Sequence, residues 1–494
     1  MRRNVVLLAC ILAVAAAAHA DGPRTGLVAG GYDVASVHGN VATVFATQEE
    51  VARLLADGFA PVEVGREPSG AKVASGYHTY ATLTADLHAY AAAHPDICRL
   101  TSLGKSFQNR DLWAVLISRN PDVEEDEPEF KYVSTIHGNE PVGMENCTQF
   151  IEMLLTGDGT DDRITNLIDT TAVWIVPLMN PDGLEAGTRY NAQGYDLNRS
   201  FPAYPDDFTG TIFDNGSPDT SGRPVEVALM MEWTATHHFV SSANFHTGSL
   251  VVNYPYDDDG GPSGQDAPTP DDALFRDISM RYSRNNLPMW TSSDFDNGIT
   301  NGAAWYVVAG GMQDWNYRYM SCNEVTIELS NTFAPASSTL PTFWDNNRES
   351  MLEYLEAVHI GVRGIVTDRA TGEPLYARVR VNNNTHPVFT DPAVGDYHRM
   401  LLPGTYSLTV SSPGHVPFTV DNVDVATGPA TRVDVMLDSG EGEGEGEGEG
   451  EQSGCFNASV DGGGGSGQGL WPLLACAFVL ALPAVFNKPK HRAA

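Results

Sequence analysis

From about residue 71 to residue 360 strand-like and helix-like patterns alternate, and no other feature limits the possible folds of this chain so strongly. Residues 84–94 carry a helical pattern, while 112–118 and 173–177 read as strands. Such alternation builds an α/β domain whose sheet is largely buried. The chemistry of such a domain sits in loops at the edge of the sheet.

On the N-terminal side, 41–47 and 59–64 read as strands flanking a helix that starts at a capping box, Thr47 with Glu50, and stops at Gly58. This β-α-β extension within 21–70 is either a pro-segment or an accessory packing layer. The absence of a basic cleavage site after it favours the second. Residues 1–20 have Arg2-Arg3, an apolar run over 5–18 and Ala18-His19-Ala20, which is the order of a secretory signal cut after Ala20. The run Leu7-Leu8-Ala9-Cys10 also has the form of a lipoprotein box, but only five apolar residues precede Cys10 and eight follow it.

On the C-terminal side, 377–381, 405–410 and 432–437 alternate with period 2 between Pro-Gly and Asn turns, predicting a small all-β sandwich over 361–438. A Glu-Gly linker follows at 439–453, an extended spacer that buries nothing. Within 454–494 the apolar run 470–486 precedes Lys488, Lys490 and Arg492. At about 1.5 Å per residue that run spans roughly 26 Å, adequate for a bilayer core of about 30 Å. The segment is similar to bacterial C-terminal sorting tails, with Cys455 the residue to watch, and a plain membrane anchor is the equal alternative. Either way the chain is expected outside the cell on a tether.

The formal charge of −34, from 29 basic and 63 acidic residues, argues against a nucleic-acid partner and favours an exported enzyme that tolerates or attracts basic ligands. Without leader and tail, Cys98, Cys147 and Cys322 remain, so one disulfide and one buried thiol are expected in an oxidising compartment. Sequence does not choose the pair. No CxxC occurs, so the cysteines suggest neither a zinc ribbon nor a redox dithiol.

The chemistry starts at 131–142, KYVSTIHGNEPV, where a β-prone run delivers His137 to a Gly-Asn turn with Glu140 beyond it. A catalytic zinc needs three protein ligands and an open position, and His246 in NFHTGSLVVNYPYD supplies a third beside His137 and Glu140. A His-x-x-Glu pair alone is weak evidence. The surrounding words are not: HGNEPVGMEN, NPDG at 180–183, DLNRSFP at 196–202, HTGSLVVNYPYD at 246–257, GGMQDWNY at 310–317 and VTIELS at 325–330 follow in order.

Together these resemble the zinc metallocarboxypeptidases, specifically the N/E or regulatory subfamily, over about residues 75–438. The resemblance implies an α/β fold with a mixed central sheet flanked by helices, then a transthyretin-like sandwich. It implies one zinc per chain on His137, Glu140 and His246, with Glu328 as the catalytic glutamate and Arg189 polarising the scissile carbonyl. By the same resemblance Asn198 and Arg199 grip the substrate's terminal carboxylate, Tyr317 closes over the terminal residue, and Asp257 lies at the bottom of a pocket for Lys or Arg. Two departures, Thr247 and Ser200, remove neither a ligand nor a charged group. The implied activity is that of a monomeric, tethered carboxypeptidase acting on basic peptide C-termini. A cell-wall peptide peptidase and a catalytically silent surface binder are the alternatives.

Blander readings apply elsewhere. His237-His238 is expected at a helix end, and Gly104-Lys105-Ser106 is no phosphate loop, because position 99 is Arg where a glycine is needed.

Overall fold

A computed structural model describes residues 10–16, 27, 30–38, 41–66, 75–204 and 218–440. Its central element is an eight-stranded mixed sheet of β5 (Cys98–Lys105), β6 (Asp111–Ile117), β7 (Glu129–Ser134), β8 (Ala172–Val176), β9 (Phe239–His246), β10 (Ser249–Tyr254), β11 (Ile299–Asn301) and β12 (Asn323–Ser330). The order is β11-β10-β12-β9-β7-β8-β6-β5, parallel from β12 through β9 and β7 to β8. Every residue of β7, β9 and β12 is buried, because helices cover both faces. Side chains leave β7 alternately: Tyr132 joins the core under helices Val142–Gly157 and Leu340–Glu356, and Val133 the opposite core with Met230 and Trp315.

The N-terminal residues form a separate antiparallel sheet of β1 (Cys10–Ala16), β2 (Asp33–His38), β3 (Val41–Ala46) and β4 (Phe59–Arg66), ordered β2-β3-β1-β4. The expected capping box is present, with Thr47 N–H donating to Glu50 Oε2 at 2.8 Å at the start of helix Gln48–Ala56. Two strands were not expected. β1 comes from the apolar run read as a leader, since such a run satisfies a strand's needs as well as a leader's. The expected cleavage point after Ala20 lies outside the described residues.

Residues 362–437 make an all-β sandwich of two four-stranded sheets, with strand Val362–Asp368 central in one and strand Gly404–Ser411 in the other. It docks on the α/β unit through the buried pair Arg399 Nη2 to Asp271 Oδ1, 2.7 Å. The linker and tail beyond residue 440, including Cys455 and the run 470–486, lie outside the described residues. Among the described residues no helix is long and apolar enough to cross a membrane.

The expected disulfide is not formed. Cys98, Cys147 and Cys322 are all free and buried, each packed as a small hydrophobe in one of the two cores of the eight-stranded sheet. Burial pushes the Cys98 and Cys322 thiols up to about 11, so they are inert at neutral pH.

Candidate active site

The turn after β7 is shaped by two glycines pressed together. A Cβ on Gly138 would lie 2.0 Å from the carbonyl carbon of Gly183, so the HGNE turn and the NPDG turn meet backbone to backbone. Asn180 locks the junction, accepting from Gly183 N–H at 2.9 Å and donating to the Ile136 carbonyl at 3.1 Å. The chain then enters helix Val142–Gly157, packed so closely on the sheet that a Cβ at Gly143 would strike Ser134 Oγ at 2.3 Å.

This scaffold brings His137 Nδ1 to 2.9 Å from Glu140 Oε1. His246, the last residue of β9, places its Nδ1 3.0 Å from His137 Nδ1 and 3.0 Å from Glu140 Oε2. Three donors thus face one another at spacings close to the roughly 3.3 Å edge of a tetrahedron with bonds of 2.0–2.1 Å. Two imidazole nitrogens and a carboxylate are also the right donor chemistry, so the residues fit a zinc ion. A second cluster, Asp126, Asp396 and His398, is already engaged in ion pairs: Arg363 and Arg432 hold Asp126, and His398 holds Asp396.

Asp196, which the sequence reading passed over although it opens DLNRSFP, organises the donors. Its Oδ1 sits 3.0 Å from His137 Nε2, which keeps the ring proton there and leaves Nδ1 free to bind. Its Oδ2 accepts from Arg189 Nε at 2.9 Å and Nη2 at 2.8 Å. Asp196→Ala is therefore expected to weaken zinc binding about 10–100-fold, read by competition with a chromophoric chelator. An unchanged affinity would show that His137 needs no such anchor.

Glu328 on β12 stands in register with His246 on the parallel β9, so one strand pair delivers both. Burial pushes its carboxyl well above the usual range, Glu140's charge adds to this, and Arg189 and Arg199 pull the other way. Glu328 Oε2 is buried and has no hydrogen-bond partner among the described residues.

One cavity is lined by His137, Glu140, His246, Arg189, Asn198, Arg199, Asp257 and Glu328, which is every site residue singled out from sequence except Tyr317. Asp257 Oδ1 accepts from Asn253 Nδ2 at 2.8 Å. The Asp257 and Asp258 N–H groups both donate to Asp314 at 2.9 Å, so a second buried acid fixes the loop. A Cβ at Gly302 would come within 1.9 Å of Asp257 Oδ1; only glycine leaves that carboxylate its place. Burial, then the neighbouring Asp314, holds the Asp257 carboxyl well above the usual range, and burial pushes Asp314 up to about 6.

Tyr317 is elsewhere. It is fully buried in helix Met312–Met320, donates to Asp271 Oδ2 at 2.8 Å and stacks on His386 of the sandwich at 3.9 Å. The cavity's tyrosine is Tyr306, with Trp305 beside it. Its signal in the sequence was a tyrosine just ahead of Gly310-Gly311, rather than one inside the helix those glycines introduce. His237 and His238 follow helix Val225–Thr234 and pair with Glu129 and Asp391, as a helix-end reading expects.

Residues 83–350 match the family model for zinc carboxypeptidase, and 361–438 match that for the carboxypeptidase regulatory-like domain. The chain is 42% identical over 381 residues to carboxypeptidase D of Homo sapiens, covering 73% of this chain and 27% of that one. It thus spans about a quarter of that relative's length. It is 39% identical over 361 residues to carboxypeptidase M of Mus musculus (69% of this chain, 79% of that one). To the carboxypeptidase N catalytic chain of Mus musculus it is 38% identical over 395 residues (73% and 86%). Among solved structures, carboxypeptidase A from Helicoverpa armigera superposes with a TM-score of 0.55 at 18% identity, covering 71% of this chain and 98% of that one, which shows the shared fold.

Proposed function

We propose that this chain, which belongs to the zinc carboxypeptidase family, is an exported, surface-held exopeptidase that hydrolyses the last peptide bond of chains ending in Lys or Arg. The observation that carries this reading is the convergence of a three-donor metal set, Glu328, Arg189, the Asn198-Arg199 pair and Asp257 on one cavity. The acidic balance of the chain supports basic peptides as partners, and a monomer holding one zinc is the simplest form of the site.

Bound between His137, Glu140 and His246, zinc supplies Lewis acidity toward a carbonyl oxygen and a water. Glu328, a buried carboxylate with a strong appetite for protons, takes the proton released as the peptide bond is attacked and passes it to the leaving amine. Arg189, held by Asp196, donates to the carbonyl oxygen as negative charge gathers there. Asn198 and Arg199 bind the terminal carboxylate through a planar fork of N–H groups. Tyr306 takes the covering role first given to Tyr317. Asp257 pairs with the substrate's terminal cation, which relieves the strain of a buried carboxylate beside Asp314 and leaves an apolar terminus facing an unpaired charge.

Steady-state rates on matched peptides ending in Arg, Lys and Phe test this. Both basic peptides are expected to be preferred, chelation to abolish hydrolysis and added zinc to restore it. A preference for Phe would refute the basic specificity, and chelator-insensitive hydrolysis would refute the metal mechanism. Asp257→Ala is expected to lower kcat/KM for the Arg peptide about 100-fold or more while sparing the Phe peptide, because truncating one partner of a buried charge pair costs roughly 2–5 kcal/mol. A silent binder would not need Glu328 and Arg189 in the same cavity as the metal donors.

A further inference from the structure

We infer that the sandwich sets the enzyme's choice of terminal residue, with Tyr317 as the positioning residue that carries its hold to the loop of Asp257. The inference rests on the reading of Asp257 as partner of the substrate's terminal cation. Helix Met312–Met320 grips that loop on both sides of Asp257. Besides the two N–H groups taken by Asp314, Arg318 Nη2 donates to the Asp258 carbonyl, and its guanidinium covers the Tyr256 ring at 3.6 Å from the centroid. The Tyr317 ring meets the same Tyr256 at 5.6 Å between centroids.

The helix is held in turn by the sandwich. His386, in the turn between strands Arg378–Val381 and Val388–Phe389, stacks on Tyr317 with 3.9 Å between ring centroids and 19° between planes. Tyr317 O–H donates to Asp271 Oδ2, and the sandwich holds the other oxygen of that carboxylate through Arg399 Nη2 at 2.7 Å and Asn384 Nδ2 at 2.8 Å. Tyr317 and Arg399 are fully buried, and in a close-packed interior a change on one side of such a contact is felt on the other. None of these sandwich residues lines the cavity, so their hold reaches Asp257 through Tyr317 and Tyr256. A carboxylate meets a guanidinium or ammonium group well only while its loop is kept in place. A displaced loop therefore weakens binding of Arg and Lys termini and leaves Phe termini nearly untouched, a signature that mere loss of stability lacks. Burial pushes the His386 imidazole down to about 3, so it stacks as a neutral ring, and its Nε2 has no hydrogen-bond partner among the described residues. A phenyl group in its place keeps the stack.

The test compares the full chain with His386→Ala, His386→Phe and Tyr317→Phe on matched peptides ending in Arg and Phe, each also in the Asp257→Ala background, with zinc affinity and the thermal midpoint measured alongside. His386→Ala and Tyr317→Phe are expected to lower the Arg-over-Phe ratio of kcat/KM about tenfold through a higher KM for the Arg peptide, while zinc affinity stays within about twofold. His386→Phe is expected to keep the wild-type ratio, and in the Asp257→Ala background no substitution should change the ratio further. An Arg preference that all three variants retain, or a ratio that falls equally with and without Asp257, would overturn the inference and leave the sandwich a structural prop. Equal wild-type rates on the two peptides would instead refute the reading of Asp257, and the inference with it. Where His386→Ala does not fold, Tyr317→Phe, which removes one oxygen atom, decides the matter by the same ratio.

Discussion

Glu328→Gln is expected to lower kcat on a C-terminal Arg peptide by about 10³–10⁴-fold, toward the upper end of what a positioned acid–base group contributes. KM and zinc content should hardly move. The amide keeps the size of the carboxylate but can neither take the proton nor return it. The fold should tolerate the change, because Glu328 Oε2 has no hydrogen-bond partner among the described residues, an amide oxygen can still accept from the Ser249 N–H, and burial beside Glu140 already disfavours the charged form. Thermal denaturation separates the possibilities: an unchanged or higher midpoint with kcat collapsed is the expected pair of results. A loss of less than tenfold would show that another group moves the proton.

Gly138→Ala is expected to be nearly as damaging by a different route. The new methyl group would sit 2.0 Å from the Gly183 carbonyl carbon and 2.3 Å from Leu184 N, and both are backbone atoms with no flexible end to swing aside. Overpacking of this kind costs about 1–3 kcal/mol and sometimes more. The movable part is the turn that carries His137 and Glu140, so zinc affinity should fall along with stability. Atomic absorption on the purified variant should find substoichiometric zinc, and kcat per bound zinc should also drop. Full zinc occupancy with normal turnover would mean that the two turns can part without cost to the site.

The eight cavity residues, the three metal donors among them, were legible because all but Arg189 belong to short words whose order along the chain is a strong constraint, whereas the complete burial of β7, β9 and β12 was not, because Glu129, Lys131, Ser241, Ser242, Asn244, Glu324 and Glu328 interrupt any apolar pattern there. What was not legible depended on neighbours far away in sequence. Tyr317 sits in a family word, but the helix that carries it turns that face toward Asp271 and the sandwich's His386, and no local pattern reveals a partner from another domain. Asp196 and Asp314 act by accepting hydrogen bonds from His137, Arg189 and the Asp257 loop, contacts made only once separate elements meet. An odd cysteine count predicts a bridge only if two thiols fold close together, and here all three stay free inside apolar packing. An apolar run lacking charges, such as 10–16, has no periodicity with which to separate a leader from a strand.

β1 runs between β3 and β4, bonded to both. Loss of β1 would therefore take an inner strand from this sheet, leaving, among the described residues, β4 without a strand neighbour and β3 with one side open.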